Sequence, residues 1–165
     1  MLRKSILALT LSLLGAGAVS AGESEGMACY KQKDYLCAFD QLLAHFEGNG
    51  GKYMIKSQSG PQTSAKALME SLIRITDASA PGATISRIKA YNAFTTGTLG
   101  SQPWMHITGH VLAVEECGKT GDTKCHDAAL KTFCSNTENW LSTQFLDRKL
   151  NKDFRTRMFA VMKKC

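Results

Sequence analysis

The sequence predicts an all-α protein, an irregular helical bundle of stapled αα-hairpins braced by three disulfides. Three observations carry this expectation. Apolar residues recur at helical spacing along most of the chain, with no strand alternation and no hairpin turn signal. Two segments, Cys29–Cys37 and Cys117–Cys125, both read C-x-K-x-x-D-x-x-C. The six cysteines are even in number and all lie downstream of an export-type leader, which puts them where thiols oxidise.

The leader comes first in the chain. Arg3 and Lys4 form a basic start, Ile6 to Leu14 a short apolar run, and Gly15 to Ala21 a small-residue stretch ending Val19-Ser20-Ala21, an A-x-A-like cleavage site. The apolar run is too short to span a bilayer, and no later stretch approaches that length. Residues 1–21 are therefore expected to be a cleaved secretory signal. That leaves 22–165 as a single all-α domain, long enough to bury a core, in the periplasm or outside the cell. No cysteine sits near the cleavage site to take a lipid.

The formal charge of +6 falls by two when Arg3 and Lys4 are removed. The remaining basic residues are scattered, apart from the tail between Arg148 and Lys164, and no basic stripe is interleaved with aromatics. Nucleic acid is thus not expected as a partner.

Short helices are expected over 25–32 and 36–46, joined at Lys33-Asp34-Tyr35 and stopped by Gly48-Asn49-Gly50-Gly51. Residues 52–62 read as a loop broken by Gly60-Pro61. Thr63 or Ser64 would cap the next helix, whose stripe is Leu68, Leu72 and Ile75, widened by Met69 and Ile73. Ala80-Pro81-Gly82 ends it. A helix over 84–95 places Ile85, Ile88 and Tyr91 on one face. Gly97 to Gln102 is a loop, and Pro103 starts a helix with the stripe Trp104, Ile107, Val111 and Val114. Gly109 weakens that helix by itself, so its use would be a close helix crossing. Gly118 to Lys124 is a turn. Helical pattern returns over 125–146, with an interruption expected near Ser135-Asn136-Thr137. A last helix starts at Asn151 or Lys152, with Phe154, Met158 and Val161 in register.

The clips have a mechanical reading. On one straight helix, cysteines eight positions apart point about 80° apart and lie roughly 12 Å apart along the axis. A disulfide needs Cα atoms within about 7 Å. Each C-x7-C therefore staples the mouth of an αα-hairpin, with Asp34 or Asp122 capping the second helix. Cys134 lies nine residues past Cys125, about 180° around a helix, and so faces away from Cys117. It is free to take Cys165. The expected bridges are Cys29–Cys37, Cys117–Cys125 and Cys134–Cys165.

Few residues point to catalysis. His106 and His110 share a helical face and could bind zinc, with Glu115 or Glu116 as helpers. The segment reads H-I-T-G-H, however, and lacks the glutamate of H-E-x-x-H. No metal and no cofactor are expected. No G-x-S-x-G, phosphate loop or dinucleotide fingerprint occurs, and Glu115 and Glu116, as helix neighbours, cannot face one point. Tyr30, Tyr35, Phe39 and Phe46 fit core and hairpin packing better than a binding surface. The loop Thr98-Leu99-Gly100-Ser101-Gln102, small and polar with one apolar tip, is a better contact candidate, since recognition often sits on loops.

These residues carry two resemblances. The clips, with Met27-Ala28-Cys29-Tyr30, Lys33-Asp34-Tyr35 and Ala38, resemble the disulfide-stapled hairpins of Sel1-like repeats, although no repeats are visible between them. Residues 105–165 resemble the C-terminal part of the Rap/Tai family of type VI secretion amidase immunity proteins. The likeness rests on His106-Ile107-Thr108-Gly109-His110-Val111, Cys125 or Cys134, Trp140-Leu141, and Arg155 through Lys164-Cys165. Two family prolines are missing: Leu150-Asn151-Lys152 replaces one, and Lys163-Lys164 replaces the aromatic-proline pair. This resemblance implies a non-catalytic periplasmic inhibitor whose partner is a peptidoglycan-degrading toxin. Thr98, Leu99, Ser101, Gln102, His106 and His110 are its candidate contacts. A helical-repeat-like envelope adaptor or assembly factor is the alternative, and a hydrolase with an unrecognised site the third reading.

Overall fold

The structure, a computed structural model, describes residues 22–48, 61–97, 103–141 and 152–165, with side chains from 22–48, 64–97, 104–136 and 152–165. The leader, residues 52–60 of the loop expected over 52–62, and the candidates Thr98, Leu99, Ser101 and Gln102 lie outside these residues. Among the described residues every regular element is a helix: α1 (Glu23–Lys31), α2 (Tyr35–Gly48), α3 (Pro61–Ala78), α4 (Ile85–Gly97), α5 (Pro103–Thr120), α6 (Thr123–Leu141) and α7 (Lys152–Met162). None of them is long and apolar enough to cross a membrane.

Helix α5 is the hub. It packs against α3, α4, α6 and α7, while α1, α2 and α3 pack on one another. One contiguous core joins Phe39, Leu42 and Phe46 of α2, Leu68 and Leu72 of α3, Ile88 and Tyr91 of α4, Trp104, Ile107 and Val111 of α5, Phe133 of α6, and Phe154, Met158 and Val161 of α7. The apolar stripes of the sequence are thus the buried ones, except that Ile75 and Ile85 are only partly buried. Phe39 and Phe46 lie in this core, and Tyr30 stands edge-on to Tyr35 with ring centres 6.1 Å apart.

The three expected disulfides are present and no described cysteine is free. Cys29–Cys37 closes the α1–α2 hairpin with Cα atoms 5.8 Å apart, and Cys117–Cys125 closes α5–α6 at 5.4 Å. Cys134–Cys165 ties the end of α7 to α6 at 5.5 Å. The two clips share one turn. In the first, Asp34 Oδ1 accepts from the Cys37 amide at 3.1 Å; in the second, Asp122 Oδ1 accepts from the Cys125 amide at 3.0 Å. Each aspartate is an N-cap, as its spacing predicts. The residue before it turns left-handed in both: Lys33 at φ 62° and Gly121 at φ 71°. That conformation is natural for glycine and costs a lysine about 1 kcal/mol. Lys31 and Lys119 lie in the last turns of α1 and α5, where a cation suits the helix dipole.

Gly109 serves the predicted crossing. Asn92 Nδ2 of α4 donates to its carbonyl at 3.2 Å. A Cβ there would overlap Asn92 Oδ1 and come within 2.8 Å of Tyr91 Cδ1. Helix propensity is given up so that α4 can lie directly on α5.

Several boundaries differ from the sequence expectation. Helix α3 begins at Pro61, so neither Thr63 nor Ser64 caps it. Proline suits a first helical position, where its missing amide has no intrahelical partner. The Ser64 hydroxyl instead donates to Glu23 of α1. Thr84 precedes α4, and its carbonyl accepts from the Ile88 amide. Helix α6 runs to Leu141 without the interruption near 135–137. Ser135 and Asn136 direct their side chains to the Thr132 carbonyl, at 3.1 and 2.8 Å, instead of diverting the backbone.

Candidate functional site

Three side-chain stripes meet over α5. Its own stripe is His106, His110, Ala113 and Cys117, at i, i+4, i+7 and i+11, which is one helical face. Helix α4 runs antiparallel on one side and contributes Ile85, Ile88, Lys89 and Asn92. Helix α6 runs antiparallel on the other and contributes Cys125, Ala128, Ala129 and Thr132. Between α4 and α6 a groove of about 530 Å³ remains, floored by His110, Ala113 and Cys117. It exists because alanines stand where larger residues would close it. The Cys117–Cys125 disulfide walls one end; Asn92, His110 and Thr132 frame the other.

His106 and His110 are both partly buried. Burial lowers the pKa of His110 from 6.5 to about 4, and the nearby His106 adds to the effect. Burial lowers His106 as well. Both rings are neutral near pH 7 and offer one donor and one acceptor each. This makes a testable pH effect. Between about pH 6.5 and pH 4 the unfolded chain binds a proton at His110 that the folded chain refuses. Stability is therefore fully present above that window and expected to fall as pH drops through it. Thermal melts at about pH 7 and about pH 4.5 should show a smaller loss for His110→Gln than for the parent. Equal losses would assign the acid sensitivity to other groups.

The neighbouring carboxylates serve other purposes. Glu115 pairs with Arg157 of α7, whose Nε lies 3.1 Å from both carboxylate oxygens; Arg157 Nη1 also reaches Asp77 of α3 at 3.0 Å. Burial works against the Arg157 charge, but Glu115 and Asp77 outweigh it and raise its pKa. Glu116 points elsewhere and is fully buried. Its Oε1 accepts from the Gly82 amide at 2.9 Å and its Oε2 from the Thr84 hydroxyl at 2.8 Å, with Lys119 Nζ at 4.0 Å. One carboxylate thus clamps α7 and α3 to α5, and its neighbour clamps the turn that launches α4. Neither is a helper to the histidines. Among the described residues no three His, Cys, Asp or Glu side chains are grouped to hold a metal ion.

A second, more open cavity of about 860 Å³ lies on the far side of the Cys117–Cys125 clip. Val114, Lys119, His126, Arg157 and Lys164 line it together with the Glu115–Arg157–Asp77 cluster. Its central charges are mutually satisfied, so the groove over α5 is the better candidate for recognition.

The sequence singles out His106 and His110, and the structure puts both on one face with His110 in the groove floor. The walls are not evident from the sequence. Ala128, Ala129 and Thr132 continue the helical face of Cys125 at i+3, i+4 and i+7, a stripe of small residues beside a clip that could have signalled a groove.

Fold and site together define a class: a disulfide-stapled, all-helical bundle that presents a preformed groove on its central hairpin. No protein-family model matches the chain, and no curated protein and no solved structure matches it.

Proposed function

We propose that this protein acts in the periplasm or outside the cell as a non-catalytic binding protein, and specifically as an immunity protein that occludes the active site of a peptidoglycan-degrading toxin. The observation that carries this reading is where the reactive groups go. All six cysteines are bridged, and Glu115 and Glu116 are engaged in holding helices together, around a groove that is already formed. A scaffold braced in this way loses little entropy on binding, which favours tight recognition. The bridges also fit an oxidising compartment. The likeness of residues 105–165 to Rap/Tai immunity proteins supports the same reading.

In this proposal His106 and His110 contact the toxin together with Thr98, Leu99, Ser101 and Gln102, which precede Pro103 at the start of α5. The test is co-expression with the product of the adjacent gene. A stable complex on purification, and survival of cells exporting that product only when this protein is co-exported, is the expected result. Absence of both the complex and the protection would sink the immunity reading.

A further inference from the structure

The groove over α5 has a size and a charge pattern that specify more than binding in general. From Cys117 to His110 its floor covers about two helical turns, roughly 10 Å. Its interior is apolar, made by Ile85, Ile88, Ala113, Ala128 and the Cys117–Cys125 disulfide. A volume of about 530 Å³ suits a few large apolar side chains rather than a whole domain. The edges are cationic. Lys89 stands on the α4 wall and Lys124 on the α6 wall, both exposed, and neither is paired with a carboxylate among the described residues. Asp122, the acidic lining residue, already caps α6 through the Cys125 amide. His110 is neutral, so the floor itself repels neither sign.

We infer that this groove binds an acidic amphipathic helical segment of a partner protein, its apolar face seated on Ala113 and Ala128 and its carboxylates flanked by Lys89 and Lys124. The mode is helix-in-groove recognition, in which apolar anchors about one turn apart supply affinity and edge charges supply orientation. It deepens the immunity reading: the contacting element of the toxin would be such a helix.

The probe is a synthetic amphipathic peptide of about 14 residues, long enough for the two-turn floor with caps at both ends. It carries leucines at i, i+4 and i+7 with glutamates on the flanks, and its twin has lysine at every glutamate. Titration into the oxidised full chain, with Ile85 and Ile88 methyl shifts as the local readout, is expected to show the acidic peptide binding about tenfold or more tightly than its twin. Ala128→Arg, at an exposed position, should abolish binding with the melting temperature kept. Lys89→Glu with Lys124→Glu should invert the preference between the peptides.

No binding of either peptide, equal binding of both, or binding indifferent to these variants overturns the inference. So does a fluorescent fatty acid that shifts Ile85 and Ile88 when neither peptide does. The two proposals fail separately. A toxin complex untouched by Ala128→Arg removes the groove inference alone. Peptide binding with neither a complex of the adjacent gene product nor protection from it removes the immunity reading alone.

Discussion

Replacing Glu116 by alanine is expected to lower the unfolding free energy by about 2–4 kcal/mol, the cost of leaving two donors without their shared acceptor inside the protein. The carboxylate is fully buried and satisfies two donors from a different segment, the Gly82 amide and the Thr84 hydroxyl. Alanine leaves both without their acceptor and leaves Lys119 without its charge partner at 4.0 Å. It also opens a space the size of the missing side chain. Glu116→Gln should cost roughly half as much, because one amide oxygen still accepts and the Thr84 hydroxyl can rotate to accept from the amide nitrogen. The damage should be local as well as global. The turn before α4 positions Ile85, so amide exchange at the start of α4 should rise before the rest of the bundle is affected. Urea unfolding of the two variants checks this. A loss under about 1 kcal/mol for Glu116→Ala would mean that the turn holds itself and the carboxylate is incidental.

The second large effect concerns the bridge of longest reach. Cys134–Cys165 closes a sequence separation of 31, against 8 for each clip. On the chain-entropy account, that bridge restricts the unfolded state by about 4 kcal/mol and each clip by about 2.5 kcal/mol. The paired change Cys134→Ala with Cys165→Ala is therefore expected to destabilise more than Cys29→Ala with Cys37→Ala. The structure also gives the longer bridge more to hold. Helix α7 brings Phe154, Met158 and Val161 into the core and Arg157 onto Glu115 and Asp77. Without its tether, α7 should be the first helix to exchange its amides. Denaturation midpoints and exchange rates of the two paired variants decide the matter. A greater loss from opening the first clip would show that hairpin geometry outweighs loop length.

Much of this architecture is legible in the sequence because its determinants are local. The clip spacing forbids a straight helix and demands a turn, and Asp34 and Asp122 then cap the second helix of each hairpin. Stripes such as Ile107, Val111 and Val114 are buried because helical period alone decides which face they share. Gly109 reads as a crossing point because its propensity cost needs a reason, and Asn92 and Tyr91 supply one. The features that escape the sequence depend on segments far apart in the chain. Glu116 reads as a companion of Glu115 or of the histidines, and only the arrival of Gly82 and Thr84 makes it a structural anchor. Ser64 reads as a cap because its partner on α1 lies 41 residues away. The groove is hidden for the same reason. Ala113, Ala128 and Ala129 are ordinary singly and make a groove only when α4 and α6 flank α5.

The pairing pattern has a consequence for biogenesis. The six cysteines join in the order in which they occur: first with second, third with fourth, fifth with sixth. A chain that enters an oxidising compartment with its N-terminus leading meets each native partner before any later cysteine arrives. An oxidase that joins neighbouring thiols as they emerge would write the native set directly, with nothing left for an isomerase to reshuffle. Refolding from the fully reduced chain, where all six thiols compete at once, lacks that temporal ordering. The connectivity is thus suited to vectorial oxidation during export.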